Sequence, residues 1–421
     1  MLPQLAILSV SGKLIRVCFT PITAFLISNK LTEIEMVCWF LVMQAIQSRA
    51  IFEAGLSIIY RREFAHAIAN YPKNAYSIIN HVEVRLFQTV VLFLVLIFFF
   101  GWVYFRYHNF SSLVITPFAL SIILAAVAQI LFFWILKLEI FGRYFQSQFI
   151  QILNQVTFIF TAITTLYFDF ALFAIPIALC VSNIAVFIAM SLIKSKSEFD
   201  RLNVPSWVHK AKPDIKKLID GKWKRIGLVF STGFLFTTLQ FWVLPLLIEI
   251  QLSAAVMLVM SLFRAVQTFW ETVMSSLFTV ISSRHSKNQP ILKVLFFQSI
   301  LCLFIGLLGF SAIIFYEVFQ SNHGTQIPFI NLPTIIWISA VGVKFLSECL
   351  VSIISNSFRC IGIEPNPMVA CTTIILSFIF LVIGLIGGMD HQAFLLASLP
   401  RLVYFLFLFF KFKTTYYRGK E

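Results

Sequence analysis

The sequence predicts an all-α polytopic membrane protein, with about twelve transmembrane helices in two six-helix bundles around a central cationic cavity. Three observations predict it. The 421 residues are 59% hydrophobic and only 12% charged, with mean hydropathy +0.91, where an ordinary soluble chain is roughly a quarter charged. The apolar residues come in runs long enough to cross hydrocarbon, about 20 residues each. One long basic stretch, 194–224, divides those runs into two equal sets. A transmembrane barrel would instead show alternating segments of about ten residues, and they are absent.

In chain order the spans are expected at 5–28, 34–59, 84–105, 112–136, 141–168, 170–193, 225–248, 252–281, 293–319, 333–357, 368–389 and 392–411. The first run holds Lys13 and Arg16 and lacks a small-residue cleavage site, so it reads as a retained span. Connections are short except for 60–83 and 194–224. The domain organisation follows: a bundle over 1–193, a basic cytoplasmic linker over 194–224, and a second bundle with a basic tail over 225–421.

The net charge of +14 is distributed as a topology signal rather than as a nucleic-acid face. With the N-terminus inside, the inner side collects Arg61, Arg62, Lys73, Arg85, Lys137, Arg143, the linker, Arg284, Lys287, Lys293, Arg359 and the tail cations. The outer side keeps Lys30 and Arg106. Both termini are therefore expected in the cytoplasm, where basic loops also suit an anionic leaflet. The cysteines at 18, 38, 180, 302, 349, 360 and 371 show no metal or redox spacing and read as small apolar residues. The dispersed histidines argue against a metal site, and no P-loop or nucleophile elbow points to an enzyme, so no cofactor is expected.

The chemistry lies inside the spans. Lys13, Arg16, Arg49, Arg264, Lys344 and Arg401 face Glu53, Glu271 and Glu348, six cations against three anions. Each charge costs about 2.5–3.5 kcal/mol at mid-helix on insertion scales, so each must meet protein or a water-filled cavity. Helical spacing groups them into stripes: Lys13, Arg16, Thr20 and Thr23 in the first span; Gln148, Gln151 and Gln155 in the fifth; Arg264, Gln267 and Glu271 in the eighth; Lys344, Ser347 and Glu348 in the tenth. Two readings stand. One is a hydrated cationic cavity in which guanidinium pairs bind phosphate and Gln side chains meet sugar hydroxyls. The other is packing, with Arg49–Glu53 and Lys344–Glu348 spaced as intrahelical ion pairs and Lys13, Arg16 and Arg401 snorkelling. Arg264 is the sharpest case for a cavity, because no acid stands three or four residues away.

The stretch "IFEAGLSIIYRREFAHA" (Ile51–Ala67) resembles the end of the second span in bacterial polysaccharide flippases of the multidrug/oligosaccharidyl-lipid/polysaccharide exporter superfamily. Glu53, Gly55, Leu56 and Arg61 or Arg62 match that family's acid–x–Gly–Leu element and the following Arg. "EIEMVCWF" (Glu33–Phe40), "LKLEIFGRYFQSQFIQILNQ" (Leu136–Gln155) and the segment Gln240–Asn288 resemble its helix starts, fifth span and seventh and eighth spans. The Gly-rich turn usual between the last two is replaced by "IEIQLSAAV".

The resemblance implies two bundles in a V and a bacterial inner-membrane location. It also implies a cargo, an oligosaccharide repeat linked through pyrophosphate to a polyprenyl lipid, as a precursor of O-antigen, capsule or exopolysaccharide. Partners would be that lipid-linked oligosaccharide, membrane lipids, a polysaccharide polymerase and a chain-length regulator, with no nucleic acid. Arg16, Arg49 and Arg264 would hold the pyrophosphate, with Lys13, Lys344 and Arg401 in support. Gln148, Gln151, Gln155 and Gln267 would meet the sugar, and Glu53, Glu271 and Glu348 would couple ions. The rival is an ion-coupled small-molecule antiporter, of the drug-exporter branch or the major facilitator type. The second-to-third-span turn lacks the facilitator motif. The short outer loops disfavour a glycosyltransferase or polymerase.

Overall fold

The computed structural model describes residues 19–53, 72–108, 110, 112–140, 143–193, 231–286, 292–323, 333–360 and 366–418, and these residues contain helices and turns without a strand. In order the helices are α1 (19–30), α2 (Glu33–Gln47), α3 (Arg49–Glu53), α4 (Pro72–Tyr107), α5 (Ser112–Ile140), α6 (Tyr144–Tyr167) and, after a 3-10 turn at Ala171–Phe173, α7 (Ala174–Ile193). There follow α8 (Ser231–Leu247), α9 (Ile250–Ser286), α10 (Leu292–His323), α11 (Ile335–Cys360), α12 (Pro367–Ile386) and α13 (Gln392–Arg418). Among the described residues, 9 helices are long and apolar enough to cross a membrane, and α8 is a shorter apolar helix. The described parts of the expected spans are helical, apart from the turn at Ser48 and a few residues at span ends; residues 5–18, 54–59, 141–142 and 225–230 of those spans lie outside the described residues.

Three boundaries differ from expectation, each for a local reason. The connection at 60–83 contains the start of α4, because Pro72 fits the first helical position, where its missing N–H costs nothing. At 36 residues α4 is about 54 Å long, well beyond the roughly 30 Å of hydrocarbon, so its first turns project from the membrane. Similarly, α9 runs for 37 residues. The second span is interrupted. Ser48 stands as a turn between α2 and α3, its hydroxyl donating to the Ala45 carbonyl at 2.6 Å. The Ile51 amide returns to the Ser48 carbonyl at 2.8 Å, a three-residue closure that tightens the chain there.

Helix starts are legible in side-chain caps. Thr32 and Glu35 form a capping box: the Thr32 amide donates to Glu35 Oε2 at 2.9 Å and the Glu35 amide to Thr32 Oγ1 at 3.4 Å. Asn366 accepts from the Met368 amide at 3.0 Å ahead of Pro367, an N-cap followed by proline. Between α12 and α13 the chain turns through Gly388 at φ +70, where a side chain would be strained.

The chain divides into two compact units, Cys38–Thr238 and Leu239–Glu421 with the described residues before Cys38. In the first, α7 packs along α6 and α5, and α4 packs on α5. Leu131, Ile135, Leu138, Ile150, Val186 and Met190 form one buried cluster. Gly101 on α4 admits the Phe118 ring of α5, which a Cβ would overlap. In the second unit, α13 packs on α11 and α12, and α9, α10 and α11 pack on one another. Gly309 and Gly342 admit Val266 and the Phe310 ring, and Gly384 admits Ala393 across the α12–α13 turn. The exposed Phe98, Phe99, Phe100, Phe296, Phe304 and Phe410 form apolar outer faces suited to lipid, while Phe93, Phe105, Phe118 and Phe263 are buried.

Candidate functional site

Five helices of the second unit bring polar side chains together. On α11, Lys344 lies 9 residues into the candidate span Ile335–Ser355 and is 5% exposed. Such a cation needs partners, and it has them. Its Nζ lies 2.6 Å from Glu348 Oε1, one turn onward. It also donates to Gln240 Oε1 of α8 at 3.1 Å. Arg401 of α13 donates to Thr373 Oγ1 of α12 at 3.5 Å. The Arg264 guanidinium of α9 lies 4.7 Å from the centroid of the buried Phe241 ring, a cation–π arrangement. Lys344, Arg401 and Arg264 all act electrostatically on the Glu348 carboxylate.

An aromatic stack holds the geometry. Phe345 follows Lys344 in sequence and packs against Trp270 at 5.0 Å and Phe263 at 4.8 Å between ring centroids. Phe263 precedes Arg264, so the stack that joins α9 to α11 also sets the two cations on neighbouring helices. Among the described side chains, three cations here face one carboxylate. The excess of cations is suited to a negatively charged group.

The other expected site residues fall as follows. Lys13 and Arg16 lie outside the described residues, and so do the side chains of Glu53 and Glu271, although both sit on described helix. Arg49 opens α3 in the first unit, beside Phe52, Thr89, Val90, Phe93 and Gln129, around a cleft with no room for a water-sized body. Gln148, Gln151 and Gln155 share a half-buried face of α6; Gln151 donates to Ser147 Oγ at 3.2 Å, and Gln155 Oε1 is buried without a hydrogen bond among the described residues. Gln267 is half-buried one turn beyond Arg264 on α9. Among the described residues there is no group of His, Cys, Asp or Glu that could hold a metal.

Sequence reasoning missed Gln240 and Thr373. Gln240 had a signal, a lone amide inside the apolar run of α8. Thr373 had none, since a threonine in a span bonds its own helix as readily as a neighbour. Thr372, next to it, donates to Met368 of the same helix.

A comparison with protein-family models finds no match, and neither does one with curated protein sequences. Solved structures do match. An inward-facing multidrug resistance MATE family transporter of the MOP superfamily superposes with TM-score 0.70 at 12% identity, over 97% of this chain and 98% of its own. The chain has the fold of a MATE transporter. A MOP superfamily transporter from Pyrococcus furiosus, described as having a binding pocket of reverse polarity that suggests a different function, matches with TM-score 0.65 at 14% identity, over 100% and 96% of the two chains. The outward-facing form of a multidrug resistance MATE transporter matches with TM-score 0.67 at 14% identity, over 100% and 96%. The expectation of two helical bundles agrees with this fold.

Proposed function

We propose that this chain is an ion-coupled membrane transporter of the MOP superfamily that moves small anionic molecules by alternating access. The near-complete overlap with multidrug MATE transporters supports transport of small molecules. The observation that carries the polarity is the second-unit cluster, where Lys344 pairs with Glu348 and Arg401 and Arg264 act on the same carboxylate. A cation exporter would be served by the opposite balance of charge. The cationic balance also keeps a second reading, translocation of a polyprenyl-pyrophosphate-linked oligosaccharide, since pyrophosphate is an anion that Arg and Lys bind well. In that reading a polysaccharide polymerase and a chain-length regulator are the partners. In both, the chain sits in a bacterial inner membrane with its termini in the cytoplasm, supported by the distribution of Lys and Arg.

The test is transport in proteoliposomes of the full chain under an imposed membrane potential and pH gradient. Three cargoes are compared: a fluorescent organic anion, a fluorescent organic cation, and a polyprenyl-pyrophosphate oligosaccharide. Movement of the small anion, lost in Lys344→Ala and Arg401→Ala at equal protein incorporation, is the expected result. Movement of the lipid-linked oligosaccharide alone selects the second reading. Movement of the cation alone overturns the assignment of charge.

A further inference from the structure

Within the second-unit cluster, Glu348 is the member that a plain anion site would lack, because a carboxylate repels the charge that the cations attract. Lys344 and Arg401 each have a hydrogen-bonding partner besides Glu348, whereas the hydrogen bond of Glu348 is to Lys344. Lys344 is held by Gln240 from α8 as well as by Glu348, and its side chain is 7% exposed. Arg401 is held by Thr373 from α12. The Glu348 side chain is 28% exposed and has three single bonds about which it can rotate. If the carboxylate leaves, Lys344 keeps Gln240 and Arg401 keeps Thr373, and both cations are left with an unanswered positive charge.

We propose that Glu348 is a tethered counter-anion that holds the place of the cargo: an incoming anion displaces its carboxylate from Lys344, the displaced carboxylate takes a proton from solution, and anion and proton occupy the unit together. This deepens the transporter reading above and rests on its anionic cargo. Repulsion between two neighbouring anions at Lys344 favours the step. With Glu348 on Lys344 the cluster is partly neutralised, and an added anion would meet a second negative charge in a poorly solvated place. Protonating the displaced oxygen removes that charge: one O–H bond forms on the carboxylate while the donor's bond to that proton breaks, leaving water from hydronium or the base form of the buffer. The charged and titratable groups turned on this carboxylate are Lys344 of its own helix, Arg264 of α9, and Arg401 of α13 with Tyr404 beside it. All but Tyr404 are cations, so their pull on the carboxylate ends when an anion takes them over. The sign is opposite to that of a cation antiporter, where a proton expels the cargo. Here the proton accompanies it, and when the site is vacated Glu348 returns to Lys344 and neutralises it.

The experiment measures binding of radiolabelled sulfate, whose charge is constant over the range used, to the detergent-solubilised full chain from about pH 8 to about pH 5.5. Wild-type affinity should rise as pH falls, with an upper limit of about tenfold per pH unit for one linked proton. Sulfate added to weakly buffered protein should draw protons from solution. Glu348→Gln has no competing charge and nothing to titrate. It should bind sulfate several-fold more tightly at about pH 8, with the pH dependence and the proton uptake both lost. Glu348→Asp keeps a carboxylate and should keep the linkage, which guards against a general effect of substitution at this position. Wild-type binding that ignores pH, an unchanged pH dependence in Glu348→Gln, or no sulfate binding at any pH would each overturn the proposal. The transport assay decides the anionic-cargo reading separately: an anion that is carried while binding without proton uptake removes only the role given to Glu348.

Discussion

Each compact unit contains a Lys–Glu ion pair, and the two pairs lie at different depths. In the first unit Lys137 of α5 pairs with Glu83 of α4. Glu83 opens its candidate span and Lys137 is one residue from the end of its own. In the second unit Lys344 and Glu348 lie in the middle of theirs. Both pairs are largely buried, with Lys137 and Glu83 16% and 25% exposed, but at a span end a long cationic side chain lies within reach of the membrane–water boundary. At mid-span each charge is costly, and the second unit answers with Gln240, Arg401 and Arg264 around the pair. The same residue types therefore read as a topology device in one unit and as a binding device in the other.

Removing one partner from each pair is the strongest test of that contrast. Lys344→Ala leaves Glu348 without its nearest partner and should cost about 3 kcal/mol, the low end for breaking a buried pair, since the carboxylate keeps some exposure. Lys137→Ala should cost less, about 1 kcal/mol, because the freed Glu83 carboxylate opens its span and lies near the membrane boundary. Both are read from unfolding in mixed micelles. Equal costs would remove the distinction between the pairs.

Packing should not distinguish the units. Gly101→Val in the first and Gly342→Val in the second each force a side chain onto a phenylalanine ring. Each should cost about 1–3 kcal/mol by the same assay. A neutral bond across helices is worth less. Asn183 of α7 donates to the Leu124 carbonyl of α5 at 2.9 Å, and Asn183→Leu should cost about 0.6 kcal/mol, an ordinary value for such bonds within a membrane. A cost above about 2 kcal/mol would place a larger polar network in the first unit than these contacts supply.

The smallest effect is expected outside the spans. His108 follows α4, stacked among Tyr104, Tyr107 and Phe110. Burial lowers its pKa from the usual 6.5. The unfolded chain then binds the proton more readily than the folded one. The His108 contribution is complete above the ordinary histidine range and weakens as pH falls through it. His108→Phe should flatten that slope in a pH series of thermal unfolding, and an unchanged slope would assign it to another group.

Much of the architecture was legible in sequence because the bilayer makes composition decisive. Apolar runs of span length have few alternatives to helix, since a backbone in hydrocarbon must satisfy its own hydrogen bonds. The capping box at Thr32 and Glu35 and the Asn366–Pro367 start are equally local signals. The Lys344–Glu348 pair was legible too, because helical spacing alone places the two side chains on one face. The break at Ser48 was not, for serine continues a helix about as readily as it bends one.

Sequence by itself determined the helical character of the described spans and the Lys344–Glu348 pair, because burial cost and helical period act within one segment. Tertiary structure alone decided which charges meet. Arg264, Lys344 and Arg401 are separated by 80 and 57 positions in the chain, yet α9, α11 and α13 bring all three to bear on Glu348. Gln240 and Thr373 join them from α8 and α12. No periodicity within a helix records those meetings. They follow from side-chain packing between helices, such as the Phe263, Trp270 and Phe345 stack, which depends on shapes far apart in sequence.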